Sequence, residues 1–284
     1  MLRELEQEEF ATYVDFAYSL ASDLEKSVYP TYADGLKTKS DFVERARKAY
    51  QRENEEILLF EADGTVEGWI HYYALKEDNY LSFCSFNIAN GVERAIDEFI
   101  SYAELKYSGC TVYFGFAKQN ERMRTRLEEL AFEKQEECNV DVLCFDTFAY
   151  LPEECETIKV MRENYSEFAA LHKMSEEDMY WNSERMLEKL EEWNIYLLYK
   201  AGKVNGAIYF CSYGTSMEIF GIDYAEQQYD ERIFKALLIK ALNEGKRLGM
   251  TDLTYFNDDA EHAVIEEMGF RHVSKYVLYT KELV

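Results

Sequence analysis

ILLFEADGTVEGWIHYY (residues 57–73) and IYLLYKAGKVNGAIYF (residues 195–210) carry the same frame twice: an apolar run, then Gly-x-Val-x-Gly-x-Ile, then a second apolar run. Gly64, Val66, Gly68 and Ile70 correspond to Gly202, Val204, Gly206 and Ile208. Runs rich in β-branched and aromatic residues around a glycine turn predict a β-hairpin in each copy.

The order of the next segments is also repeated. A strand comes first, NYLSFCSFNI in one copy and SMEIFGIDY in the other. A helix succeeds it, VERAIDEFISYAELKYS and DERIFKALLIKALNEGKRL, with apolar positions at helical spacing such as Ile233, Leu237, Leu238, Ala241 and Leu242. GCTVYFGF and GMTDLTYF then predict a further strand. A helix ending in LEELAF or IEEMGF and a last strand, DVLCF or YVLYT, close each copy. Helical segments open both: EQEEFATYVDFAYSLASDL and KSDFVERARKAYQREN in the first, YSEFAALHKM and SERMLEKLEEW in the second. A duplicated α/β unit is the expectation, with domains at 1–147 and 148–284 and the boundary near DTFAYLPEE (146–154), where Pro152 interrupts the chain.

Composition bounds the rest. Hydrophobic residues make up 48% of the 284, enough for a sizeable core, and only Pro30 and Pro152 are proline. The formal net charge is −24. Residues 1–147 hold 30 acidic and 16 basic side chains, and residues 148–284 hold 25 and 15, so the acidity is general. Such a field repels nucleic acid and anionic membranes and favours a cationic partner. The six cysteines form no C-x-x-C pair, and Cys84 and Cys211 have no basic neighbour in sequence. They read as thiols of a reducing compartment, and a cytoplasmic location is expected. MLRELEQEEF has no apolar core of a signal peptide, and no apolar run reaches membrane-spanning length. The four histidines, His71, His172, His262 and His272, show no metal-ligand spacing, so no metal is expected.

Helices, hairpin, strand, helix, strand, helix, strand is an order that resembles the GNAT superfamily of acyl-CoA-dependent N-acetyltransferases. The resemblance covers nearly the whole chain as a tandem pair and is closer in the second copy, through its helix ending in Gly269–Phe270. It implies two GNAT-like α/β domains, each a mixed twisted sheet flanked by helices. It implies acetyl-CoA as cosubstrate, an amine (small molecule or peptide) as acceptor, and catalysis in the second domain. The alternative is a GNAT-like module that binds or regulates without turnover.

In the family, a strand splays from its neighbour and the next helix N-terminus faces the CoA pyrophosphate. That geometry suits an anion, because the first N–H groups and the helix dipole point at it. The family pattern there is Gln/Arg-x-x-Gly-x-Gly/Ala. Its positions fall on Tyr229, Arg232 and Phe234 in the second copy and on Ile88, Gly91 and Glu93 in the first. The resemblance thus implies cofactor contacts by Ile222, Tyr224, Tyr229, Arg232, Ile233 and Phe234, and by Asn257, which comes after the next strand. Asn257 reads equally as a helix cap.

The position where relatives often carry a Tyr acid holds Ile265 here, and Leu127 in the first copy. Glu218 and Asp223 are the candidate general bases. Strand alternation sets Glu218, Phe220 and Ile222 on one face and Ile219 and Asp223 on the other. In the plainer reading, Glu218 sits on an exposed strand end and Asp223 caps a turn.

Overall fold

The computed structural model describes residues 1–28, 32–176 and 179–284; Pro30 lies outside the described residues. The chain forms two compact units, Met1–Val140 with Val273–Val284, and Asp141–His272. This division differs from 1–147 and 148–284: it falls inside a strand, and the last strand of the chain belongs to the first unit from Val273 onward.

The first unit runs β1 (Leu2–Glu4), α1 (Phe10–Ala21), α2 (Lys39–Arg47), β2 (Glu55–Ala62), β3 (Thr65–Leu75), β4 (Tyr80–Ile88), α3 (Val92–Tyr107), β5 (Thr111–Ala117), α4 (Glu121–Glu129) and β6 (Glu133–Cys144). The second takes over within β6 at Asp141 and continues through β7 (Thr157–Lys159), α5 (Tyr165–His172), α6 (Ser183–Glu188), β8 (Trp193–Lys200), β9 (Lys203–Tyr213), β10 (Ser216–Tyr224), α7 (Glu231–Arg247), β11 (Asp252–Asn257) and α8 (Asp259–Glu267). The chain ends with β12 (Arg271–Glu282).

Both hairpins form. Ala62 pairs with Thr65 and Lys200 with Lys203, leaving two-residue turns whose residues Asp63, Gly64, Ala201 and Gly202 all have positive φ. That is the twist-matched turn that a Gly at its second position favours.

In the first unit the strand order is β1-β2-β3-β4-β5-β12-β6. Adjacent residues of β2 serve opposite cores: Leu58 and Phe60 pack with α3 and α4, while Ile57 and Leu59 pack with α1 and α2. A strand covered on both faces needs a continuous apolar run, as ILLF supplies. In the second unit the order is β11-β10-β9-β8-β7. Phe210, Ile219 and Tyr255 pack with α7 and α8, and Trp193, Ile195 and Tyr209 pack with α5 and α6.

The closing strands are exchanged. β12 pairs antiparallel with β5 from Tyr276↔Ala117 to Glu282↔Thr111, and Val277, Tyr279 and Leu283 lie in the core of the first unit. Conversely Leu143 and Phe145, from the DVLCF of the first copy, lie in the core of the second. Among the described residues no helix is long and apolar enough to cross a membrane.

Candidate functional site

Each unit contains a pair of parallel strands that part. In the second, β10 pairs with β11 from Ser216↔Asp252 to Ile219↔Tyr255 and then leaves it. The parting coincides with a β-bulge: pairing with β9 shifts register between Ile219 and Gly221, leaving Phe220 as the extra residue. A bulge re-aims every side chain after it. The simple alternation expected for SMEIFGIDY therefore fails beyond Ile219. Ile219, Ile222 and Tyr224 pack toward α7, whereas Phe220 and Asp223 turn toward α5. Glu218 is half-buried, lies between core residues Met217 and Ile219, and pairs in register with Cys211.

Asp223 caps no turn. It is buried, with Oδ2 2.8 Å from Nδ1 of His172 and Oδ1 accepting from Ser175 Oγ at 2.6 Å. His172 is stacked on Phe168, meets Tyr209 edge-on, and donates from Nε2 to the Trp181 carbonyl at 3.0 Å. Burial pulls its pKa down, but the bond and charge of Asp223 win and the net shift is upward. The pairing favours the protonated imidazole, and a carboxylate bonded to both His172 and Ser175 is a poor candidate for a free base.

At the start of α7 the N-cap is Asp230. Its Oδ1 accepts from the backbone N–H of Arg232 at 2.8 Å and of Ile233 at 3.2 Å. The amides that would face a pyrophosphate already hold a carboxylate. Phe234 is fully buried, its ring near Tyr229 and stacked with Tyr255. Tyr229 is exposed and packs against Tyr224, and Arg232 is exposed. The structure brings Tyr224, Tyr229 and Phe234 together, but as packing around a self-capped helix end.

Asn257 is not the cap of α8. Asp258 is, accepting from Ala260 and Glu261 N–H. Asn257 is buried and donates from Nδ2 to Asp141 at 2.9 Å.

A carboxyl group that the sequence pattern does not single out stands beside these residues. Glu261, at the third position of α8, accepts from Tyr255 Oη at 2.8 Å. Burial, with Asp258 nearby, lifts its pKa to about 7 against the opposing hydrogen bonds. It lies one turn before Ile265 on the same helix face. Its local signal, Asp-x-x-Glu at a helix start, marks only a capping box.

The first unit parts differently. β4 and β5 are parallel only from Tyr80↔Thr111 to Ser82↔Tyr113. Beyond that the chain's own segment 26–28 enters: Ile88 N–H donates to the Lys26 carbonyl at 2.9 Å, and Val28 bridges to Phe116. Ser27 and Val28 are buried. The start of α3 is unlike that of α7: its N-cap, Gly91, has φ 72° and no side chain caps the helix. Glu93 is paired with Arg122 at 2.7 Å. One unit thus has an uncapped helix start beside a filled wedge, and the other a capped start beside strands that part.

Cys84 does have a basic neighbour in space, the Arg45 guanidinium 2.8 Å away and 39 residues earlier. Burial nonetheless pushes the thiol up to about 12, so it is no thiolate nucleophile. Three of the four histidines, unpatterned in sequence, contribute among the described residues to two clusters that could hold a metal: Glu55–His71–Cys84 and Asp141–His262–His272.

No family model matches the sequence and no curated protein matches it, so the comparisons rest on structure. A GCN5-related N-acetyltransferase from Sphaerobacter thermophilus superposes with TM-score 0.65 at 13% identity, over 100% of this chain and 95% of that one. A tandem GNAT protein from the clavulanic acid biosynthesis pathway, solved without AcCoA, gives 0.60 at 12%, over 100% and 98%. A GCN5-related glucosamine N-acetyltransferase region of a fungal GH3 β-N-acetylglucosaminidase gives 0.62 at 9%, over 99% and 38%. The chain has a tandem GNAT fold. Coverage of two such chains nearly end to end extends the likeness to both halves of this GNAT-fold protein.

Proposed function

We propose that this GNAT-fold chain transfers an acyl group from an acyl thioester, acetyl-CoA in the first instance, to an amine, and that the chemistry belongs to the second unit. The observation that carries this reading is Glu261: a carboxyl with pKa about 7, bonded to Tyr255 beside the parting of β10 and β11. A group poised near neutrality can hold or release a proton at its Oε atoms under working conditions, as amine acylation requires. Glu218 and Asp223 share the opposite face of β10; Asp223 is bonded to His172 and Ser175, and Glu218 is the second candidate base. Tyr224 and Tyr229, with Asp230, Asp258 and Glu261 around them, make an aromatic and acidic surrounding that suits a cationic amine.

The start of α7 does not fit the family's pyrophosphate cradle, because Asp230 occupies it. That observation favours a second reading, a GNAT-fold module that binds without turnover. Thiol release from acetyl-CoA with a panel of polyamines, amino sugars and peptides separates the two. Turnover that rises with an inflection near pH 7 and is lost in Glu261→Gln supports acyl transfer. Saturable binding of an amine with no thiol release at millimolar acetyl-CoA would select the second reading.

A further inference from the structure

We propose that Asp141, His262 and His272 form a site for a borderline divalent transition ion, zinc being the best match. The three come from the end of β6, the first turn of α8 and the start of β12, all within the second unit. His262 Nδ1 lies 2.9 Å from Asp141 Oδ2, and His272 Nδ1 lies 3.3 Å from Asp141 Oδ1. The three ligand atoms lie within 4.8 Å of one another. An ion bonded at about 2.1 Å separates neighbouring ligand atoms by about 3.0–3.4 Å, depending on whether it is octahedral or tetrahedral. Both nitrogen–oxygen separations fall near this range, and the two nitrogens lie no more than 4.8 Å apart, so an ion would draw the two imidazoles together around it.

Several further features fit. The Asp141 side chain is 1% exposed, whereas His262 and His272 are 27% and 41% exposed. The carboxylate ligand is thus fixed and the two imidazoles face solvent, giving an ion an entry path and room for water ligands. Asn257 donates to Asp141 Oδ2 at 2.9 Å and orients the carboxylate from behind, as groups outside the ligand shell do at metal sites. Two imidazoles and one carboxylate suit zinc, cobalt or nickel, whereas calcium and magnesium prefer all-oxygen shells. The net charge of −24 raises the local cation concentration.

Glu55–His71–Cys84 in the first unit is a useful contrast. Arg45 and Arg52 already pair with Glu55 at 2.7 and 2.5 Å, holding both of its carboxylate oxygens, and burial keeps the thiol protonated, so the cluster's charge is already balanced without an ion. Asp141, by contrast, bonds to Asn257 and the two imidazoles, and among the described residues no Lys or Arg forms an ion pair with it.

The test is zinc titration of the untagged full chain after chelator treatment, by calorimetry and thermal melting. One equivalent should bind at micromolar affinity or better and raise Tm. His272→Ala, at an exposed position, should fold normally and weaken binding at least tenfold, and His262→Ala should do the same. Cobalt bound to the native chain should give visible absorption that both variants lose. Absence of saturable binding, or binding untouched by both substitutions, overturns the proposal. It stands or falls independently of the acyl-transfer reading, since no readout involves activity.

Discussion

His172 Nδ1 lies 2.8 Å from Asp223 Oδ2, and neither side chain is more than 4% exposed. The pair ties α5 to the far end of β10, on the strand that parts from β11. Removing one partner leaves a buried charge without compensation. His172→Ala is therefore expected to cost about 3–5 kcal/mol, far more than a surface pair. The pKa of His172 is raised in the folded state, so its contribution is fully present below the unfolded value near 6.5 and is lost as pH rises through the folded value. Tm of the native chain should fall on the alkaline side of that window, and His172→Gln should flatten the decline. A pH-independent difference between the two proteins would show that the imidazole is held neutral.

The exchange of closing strands makes the first unit dependent on the last residues of the chain. Tyr279 stacks on Phe116 at 5.8 Å and donates to Glu128 at 2.7 Å, and Val277 and Leu283 fill the same core. Deleting 273–284 also removes the antiparallel hydrogen-bonding partner of β5, leaving it the short parallel pairing with β4. Amides of β4 and β5 should lose protection from hydrogen exchange, while those of β8, β9 and β10, whose core holds none of the deleted residues, keep theirs. Tyr279→Ala should give a milder form of the same pattern at about 3–5 kcal/mol. Uniform loss across both units would argue that they fold as one.

Local features are the ones legible in the chain. The turns at Asp63–Gly64 and Ala201–Gly202 depend on two residues each, and both form as the glycines require. The aims of Asp223 and Ile222 depend on the bulge at Phe220, which exists only because β10 pairs with β9 in two registers. The closing strands DVLCF and YVLYT have similar apolar patterns, so nothing in either specifies which unit it completes. Asp141 and His262 are 121 residues apart, and Cys84 and Arg45 are 39 apart; only the folded chain brings them together. In sequence Glu261 is one more acidic residue in an acidic chain, because its raised pKa comes from burial beside Tyr255.

Asp230 offers a direct way to ask whether the start of α7 can receive an anion. Its carboxylate takes the N–H groups of Arg232 and Ile233, so it stabilises the helix while placing negative charge where a phosphate would sit. Serine caps a helix nearly as well as aspartate without the charge. Asp230→Ser is therefore expected to change stability by less than about 1 kcal/mol. It should tighten the binding of CoA or acetyl-CoA by roughly three- to tenfold at low salt, the scale of one charge near a helix end. The gain should shrink as ionic strength rises. Dephospho and full-length CoA should both respond, since the pyrophosphate is common to them. Unchanged CoA affinity in this variant would mean that the α7 start takes no part in cofactor recognition and that Arg232 and Ile233 serve only the fold.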